Sequence, residues 1–294
     1  MENDTRRKLK LLGAFLCPVL AGLLFMARGG APITYIAVNV GALLFLGIIM
    51  LGGSVKHRPL LPLAIVGISL ALLAATFAGP DIGDVHRWIS LGTFKFHAGM
   101  LVLPSIAVLL PGLNKQLALS ATLIAALLFA GQPDRASAFA LGTVCLSFVA
   151  VTCDRWTLAA ALAAVLAFAI TKRDDLLPII FVEYVIRDAF QENLLIVIFM
   201  VGSIAFAALA PILVLGDRLR SISVRAIAWC ACLVGYFVAS LFGAYPTPLL
   251  GYGISSILGF GFALALLFQL DDADNGQYLI RLNLNLRGDR RAHV

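Results

Sequence analysis

The sequence predicts an all-α polytopic membrane protein with about ten transmembrane helices, and three observations carry that reading. Hydrophobic residues make up 61% of the 294 and charged residues only 13%. The mean hydropathy is +0.97. Apolar runs follow one another along the chain with short polar breaks between them. So little charge does not suit a soluble domain. No soluble segment is left over, so residues 1–294 are expected to form one integral membrane domain. Residues 1–10 and 271–294 form its polar ends, the latter loosely ordered.

The first run, Leu11 to Met26, follows the basic stretch MENDTRRKLK. That order resembles a signal peptide, yet no small-residue cleavage site follows and the run continues through Pro18, so it reads as an uncleaved first span. Further runs lie near 33–52, 60–78, 98–111, 117–131, 136–152, 156–170, 177–199 merging with 201–215, 223–243 and 251–270. Several fall below the roughly 20 residues that a perpendicular crossing needs. The three between 98 and 152 are the least sharply delimited, and partitions into eight or nine spans also fit.

With ten spans and the N-terminus inside, the inner segments carry fifteen cations: Arg6, Arg7, Lys8, Lys10, Lys56, Arg58, Lys115, Arg155, Arg218, Arg220, Arg225, Arg281, Arg287, Arg290 and Arg291. The outer ones carry seven: Arg28, Arg87, Lys95, Arg135, Lys172, Arg173 and Arg187. This asymmetry places both termini in the cytosol under the positive-inside rule. The net charge of +6 is thus accounted for by topology. The cations are dispersed in short loops without a basic face, which excludes a nucleic-acid partner. The five cysteines, Cys17, Cys145, Cys153, Cys230 and Cys232, lie in or beside apolar runs without metal-ligand spacing. Buried, unpaired thiols are expected, and no metal site.

Four stretches on the outer side hold the unusual residues. Gly79 to Gly99 is too polar to cross and rich in aromatics. Trp88, Phe94 and Phe96 suit the headgroup level, with His86, Arg87 and Lys95 available for phosphate; a plain interfacial loop is the alternative. Gln132, Pro133 and Asp134 form a turn whose Asp suits a helix cap. Phe181 to Phe199 places Glu183, Arg187, Asp188 and Glu192 at the mouth of an apolar helix, where charge is costly without a partner or a task. Spacing of four predicts that Arg187 holds the Glu183 carboxylate ionised while Glu192 extends the polar patch. Gly251, Ser255 and Gly259 recur every four residues and offer a smooth stripe for close helix packing.

Together, in this order, these stretches resemble the SEDS family (shape, elongation, division and sporulation), the RodA/FtsW-like cell-wall polymerases. Arg87-Trp88-Ile89-Ser90-Leu91-Gly92 is similar to its RWIxLG loop and Gln132-Pro133-Asp134 to its QPDxGTA turn. Pro248 to Ser256 resembles its PLPFISYGGSS signature. Leu177-Pro178, then Glu183 and Glu192, has the spacing of its LPxxxTDFIFAVIxEELG segment. The resemblance implies ten spans and a cavity facing outward from a bacterial inner membrane. It also implies polymerisation of a lipid-linked disaccharide-peptide beside a class B penicillin-binding transpeptidase.

In that chemistry a sugar hydroxyl attacks the donor's anomeric carbon and a lipid pyrophosphate leaves. A carboxylate takes the proton and cations steady the pyrophosphate. The resemblance makes Glu183 the base and Arg87, Lys95 and Arg187 candidate cations. Gln132, Asp134, Glu192, Tyr252, Ser255 and Ser256 would complete the substrate site, with a divalent cation at the pyrophosphate left open.

Three departures cut against full equivalence. Glu183 stands where the family has Asp. Met100 and Leu103 replace the Glu and Lys of its QPSExxK. The large outer loop before the eighth span shrinks to Thr171, Lys172, Arg173, Asp174 and Asp175. Two other readings therefore stay open: a non-catalytic partner or regulator of wall synthesis, and a flippase moving a lipid-linked sugar through the same cavity.

Overall fold

The computed structural model describes residues 2–52, 60–172, 176–215, 221–273 and 279–281. Among them, six helices are long and apolar enough to cross a membrane, and four more are apolar but shorter. These ten are α1 (Glu2–Arg28), α2 (Ile33–Gly52), α3 (Leu61–Ala75), α4 (Ala98–Leu109), α5 (Lys115–Gly131), α6 (Arg135–Thr152), α7 (Arg155–Ile170), α9 (Leu194–Leu215), α10 (Val224–Phe242) and α11 (Ile254–Ala273). A short polar helix, α8 (Val185–Glu192), precedes α9. The polytopic all-α architecture is the one the hydropathy predicts.

The shortness of α4 has a structural reason. Eleven of its twelve residues, all but Leu101, are buried, so it is an internal post rather than a lipid-facing span. α3, α6, α10 and α11 pack around it. Small residues set the closest approaches. A Cβ on Gly259 of α11 would overlap the Met100 carbonyl of α4, and one on Gly235 of α10 would lie 2.8 Å from Ala140 Cα of α6. Close backbone approach is how helices associate where lipid removes the hydrophobic drive.

Polar caps start the helices where the sequence supplies them. Asn114 accepts from Leu117 N at 2.9 Å, Asp134 from Ser137 N at 3.1 Å, and Asp154 from Trp156 N and Thr157 N at 2.9 and 3.0 Å. Lys115 Nζ also meets Asp154 at 2.9 Å, tying α5 to α7. The Thr157 amide, then Lys115, holds the Asp154 carboxyl below its ordinary value. A depressed folded-state pKa adds stability above the unfolded value of about 4, and this is lost as pH falls through the lower folded value. Asp154→Ala is therefore expected to cost about 1 kcal/mol at neutral pH. Thermal unfolding at pH 7 should show it, with a smaller loss in acid.

Two departures from the sequence expectation concern irregular segments. The loop from Gly79 to Gly99 contains a hairpin, β1 (Trp88–Leu91) paired with β2 (Phe94–His97), with Leu91 opposite Phe94. Its two-residue turn needs Gly92 at φ 61°, a backbone that glycine adopts freely. Past α11, which itself continues to Ala273, Leu279–Arg281 pairs antiparallel with Ser221–Ser223 (β4 with β3). The rest of the expected loose tail, and Arg173, Asp174 and Asp175, lie outside the described residues.

Connectivity sorts the described cations by end. Arg28, Arg87, Arg135 and Arg187 belong to one end of the bundle, and Lys115, Arg155 and Arg225 to the other. Cys153, expected buried, is instead exposed at the second end, where it caps α6 at φ 51°. It provides a native probe of orientation: a membrane-impermeant maleimide should reach a cysteine at Asp84 from outside intact cells, and Cys153 only after permeabilisation. Labelling of both from one side would overturn the topology.

Candidate functional site

Glu183 does not stand on a helix. It lies on a turn ahead of α8, flanked by Phe181 at φ 64° and Tyr184 at φ 56°. Bulky side chains avoid that left-handed backbone, and it persists only where the surroundings enforce it. Here they do. Glu183 N donates to Ile179 O at 3.0 Å, and the Glu183 carboxylate accepts from Ile179 N at 3.2 Å. Thr247 N donates to Val182 O at 2.9 Å, and Tyr252 N to Phe181 O at 2.6 Å. Glu183 also bridges to Pro246. Glu183 as a whole is 5% exposed.

The clamp is the loop from Gly243 to Gly253. A Cβ on Gly251 would sit 2.9 Å from Phe181 O and 3.0 Å from Val182 O, so only glycine lets the two segments meet. Asn39 of α2 holds the loop from behind. Its amide donates to Gly251 O and accepts from Gly253 N, both at 3.2 Å. Ser256 donates to Gly253 O at 3.0 Å, and Tyr252 stacks on Tyr35 with centroids 3.9 Å apart. Burial, with Tyr35 alongside, raises the Tyr252 phenol above its ordinary value, so it remains a donor at neutral pH.

From this loop a polar chain runs on to the other predicted residues. Ser255 Oγ accepts from His97 N at 2.8 Å. His97 Nδ1 accepts from Met100 N at 3.2 Å and caps α4, which turns Nε2 to the other side of the ring. Nε2 lies 3.8 Å from the Asp134 Oδ2. Gly99 lets α4 lie this close, since a Cβ there would stand 2.7 Å from the same oxygen. Beside Asp134, Ser137 and Tyr236 share a 2.6 Å hydrogen bond. Arg87 is 1% exposed. Its guanidinium lies 4.7 Å from the Trp88 ring centre and its carbonyl accepts from Ala98 N at 2.9 Å.

The remaining predicted residues fall elsewhere. Gln132 is wholly buried, and its amide donates to Leu73 O at 2.6 Å, a tie between α5 and α3. Lys95 is exposed on the hairpin, and Glu192 is exposed at the end of α8. The expected pair of Glu183 with Arg187 is not formed. With Glu183 ahead of the helix the four-residue spacing no longer aligns them, and Arg187 lies over the Tyr184 ring at 3.8 Å and 3.8 Å from Asp188. Met100 and Leu103 are buried, at 2% and 0% exposure. A cavity of about 480 Å³ opens beside the turn, lined by Arg135, Phe139, Phe168, Pro178, Tyr184 and Tyr245 among others. Among the described residues no group of three or more His, Cys, Asp or Glu is placed to hold a metal ion.

Sequence reasoning missed Asn39 and His97. A lone Asn inside the apolar run from 33 to 52 was the available signal, because a buried amide needs partners. His97 had a signal too: it ends the strand that follows the Gly92-Thr93 turn.

The ten apolar helices among the described residues, with a buried carboxylate turn at one end, define a multi-pass membrane protein with a polar site at that end. Solved structures give that architecture a relative. The chain superposes on the rod shape determining protein RodA of Thermus thermophilus with a TM-score of 0.62 and 19% identity, over 89% of this chain and 95% of that one. A mutant of that protein gives 0.63, 19%, 89% and 96%. A structure described as coordinating polymerisation and crosslinking in a peptidoglycan synthase complex gives 0.63 and 18%, over 90% of this chain and 97% of that one. No family model and no curated protein matches the sequence. The fold is SEDS-like, that of RodA, over about nine-tenths of the chain.

Proposed function

We propose that this chain is a divergent SEDS-type glycosyltransferase of a bacterial inner membrane, polymerising a lipid-linked cell-wall precursor with Glu183 as general base. The observation that carries the reading is the Glu183 turn: a buried carboxylate on strained backbone, clamped by a second loop, on a RodA-type fold. Strain held in place by its surroundings is characteristic of sites that position a reacting group. Glu183 takes the proton of the acceptor hydroxyl as its oxygen bonds to the donor's anomeric carbon. The bond from that carbon to the pyrophosphate breaks, and the lipid pyrophosphate departs. Arg87, buried beside the hairpin, is the cation best protected from water, where its charge acts most strongly. Lys95 and Arg187, both exposed, meet the phosphates at the membrane surface. A class B penicillin-binding transpeptidase is the proposed partner, supported by the fold match to a component of a peptidoglycan synthase complex.

A second reading has its own observation. Met100 and Leu103 fill with hydrocarbon a place where the family carries a charge pair, which suits a non-catalytic partner of wall synthesis. Purified protein incubated with lipid-linked disaccharide-peptide separates the two. Glycan strands resolved on a gel support the enzyme. Precursor that binds but is never polymerised supports the partner.

A further inference from the structure

At the end of the bundle opposite Glu183, a cavity of about 340 Å³ opens between α5, α6, α7 and the start of α10. Its walls are mostly apolar, with Leu113, Leu119, Phe148 and Ala160 among them, and Lys115 and Asp154 are its charged members. There Lys115 pairs with Asp154 at 2.9 Å. Trp156, which also lines the cavity, lies under the guanidinium of Arg155 at 5.3 Å. Both cations are exposed. Arg225, buried next to the lining residue Val224, turns one nitrogen to Val108 O at 3.3 Å.

We propose that this cavity is a binding site for an anionic phospholipid, one acyl chain occupying the apolar interior and the headgroup phosphate lying between Lys115 and Arg155. Three features of the site specify that occupant. Apart from Lys115, Asp154 and the Trp156 indole, the cavity's polar lining is threonines whose hydroxyls already donate to helix carbonyls, Thr122 to Ala118 O, Thr152 to Phe148 O and Thr157 to Asp154 O, each at 2.9 Å. The mouth carries a tryptophan at its rim, a residue that settles at headgroup depth. Among the described residues the exposed charges at the mouth are Lys115 and Arg155 against the single Asp154, and basic pockets between transmembrane helices select anionic headgroups. Asp154 engages one donor of the Lys115 ammonium and leaves others for phosphate.

The test is native mass spectrometry of the full chain released from nanodiscs holding equal amounts of phosphatidylglycerol and phosphatidylcholine with matched chains. The wild type should retain phosphatidylglycerol preferentially, and inorganic phosphate should not displace it. Lys115→Gln and Arg155→Gln should each lower that preference by about fivefold, the factor expected per surface cation. Lys115→Arg should keep it. Ala118→Phe, which fills the interior, should remove the bound lipid of either kind. Thermal unfolding run alongside confirms that each variant is folded, and Arg155→Gln, at an exposed site, is the one least able to disturb folding. Equal retention of the two lipids by the wild type, or preference unchanged in both charge variants, overturns the proposal, as does displacement by phosphate alone.

Discussion

Glu183→Gln is expected to lower polymerisation by about a hundred- to ten-thousandfold, the usual loss when a general base is removed, while the protein stays folded. The amide can still accept from Ile179 N, a bond of 3.2 Å in the structure. The Phe181–Tyr184 turn is also held by backbone hydrogen bonds from Thr247 and Tyr252, which the substitution leaves alone. The defect should therefore fall on kcat with little change in melting temperature. Glu183→Asp keeps the charge and restores the residue of the resembled family, so activity should be retained or rise. Displacement by one methylene acts the other way, since a misplacement of about 1 Å can cost a hundredfold. A gain on Glu183→Asp would show that the rest of the site is built for the shorter acid. A rate unchanged in a well-folded Glu183→Gln variant would remove Glu183 from the chemistry and favour the non-catalytic reading.

Gly259→Ala should be among the most damaging single-methyl changes in the molecule. The new Cβ overlaps the Met100 carbonyl and stands 2.8 Å from Leu101 Cα. These obstacles are backbone and cannot rotate aside, so α11 has to move off α4. Overpacking of this kind costs about 1–3 kcal/mol. The shift also pulls Ser255 from His97 N, now 2.8 Å away, and so disturbs the hairpin and the Asp134 contact. Gly13→Ala, where nothing lies within 4 Å of the added carbon, is the matched control and should be neutral or slightly stabilising. Thermal unfolding of both in one detergent checks the pair, and equal melting temperatures would show that the α4–α11 contact has slack.

The sequence made the long helices legible because each is an apolar run, and several start at a polar cap such as Asn114, Asp134 or Asp154. It made the Gly259 packing legible through four-residue spacing. It misplaced Glu183, because helical periodicity in 181–199 reads straight through a turn whose cause lies about 65 residues later, in the amides of Thr247 and Tyr252. Arg187 was assigned to the wrong carboxylate for the same reason. The burial of Gln132 under Leu73 O was equally invisible, since which face a loop amide turns inward depends on a helix 59 residues away in the chain. Local signals predict local structure, and the site here is assembled from contacts remote in sequence.

If Glu183 is the base, bound substrate has to lie against it. The structure to determine is the Glu183→Gln chain with a lipid-linked disaccharide-peptide trapped before reaction. An acceptor sugar hydroxyl is expected within about 2.6–3.2 Å of the side chain at position 183, with the pyrophosphate toward Arg87. Precursor bound away from that turn, with no sugar oxygen near position 183, would contradict it.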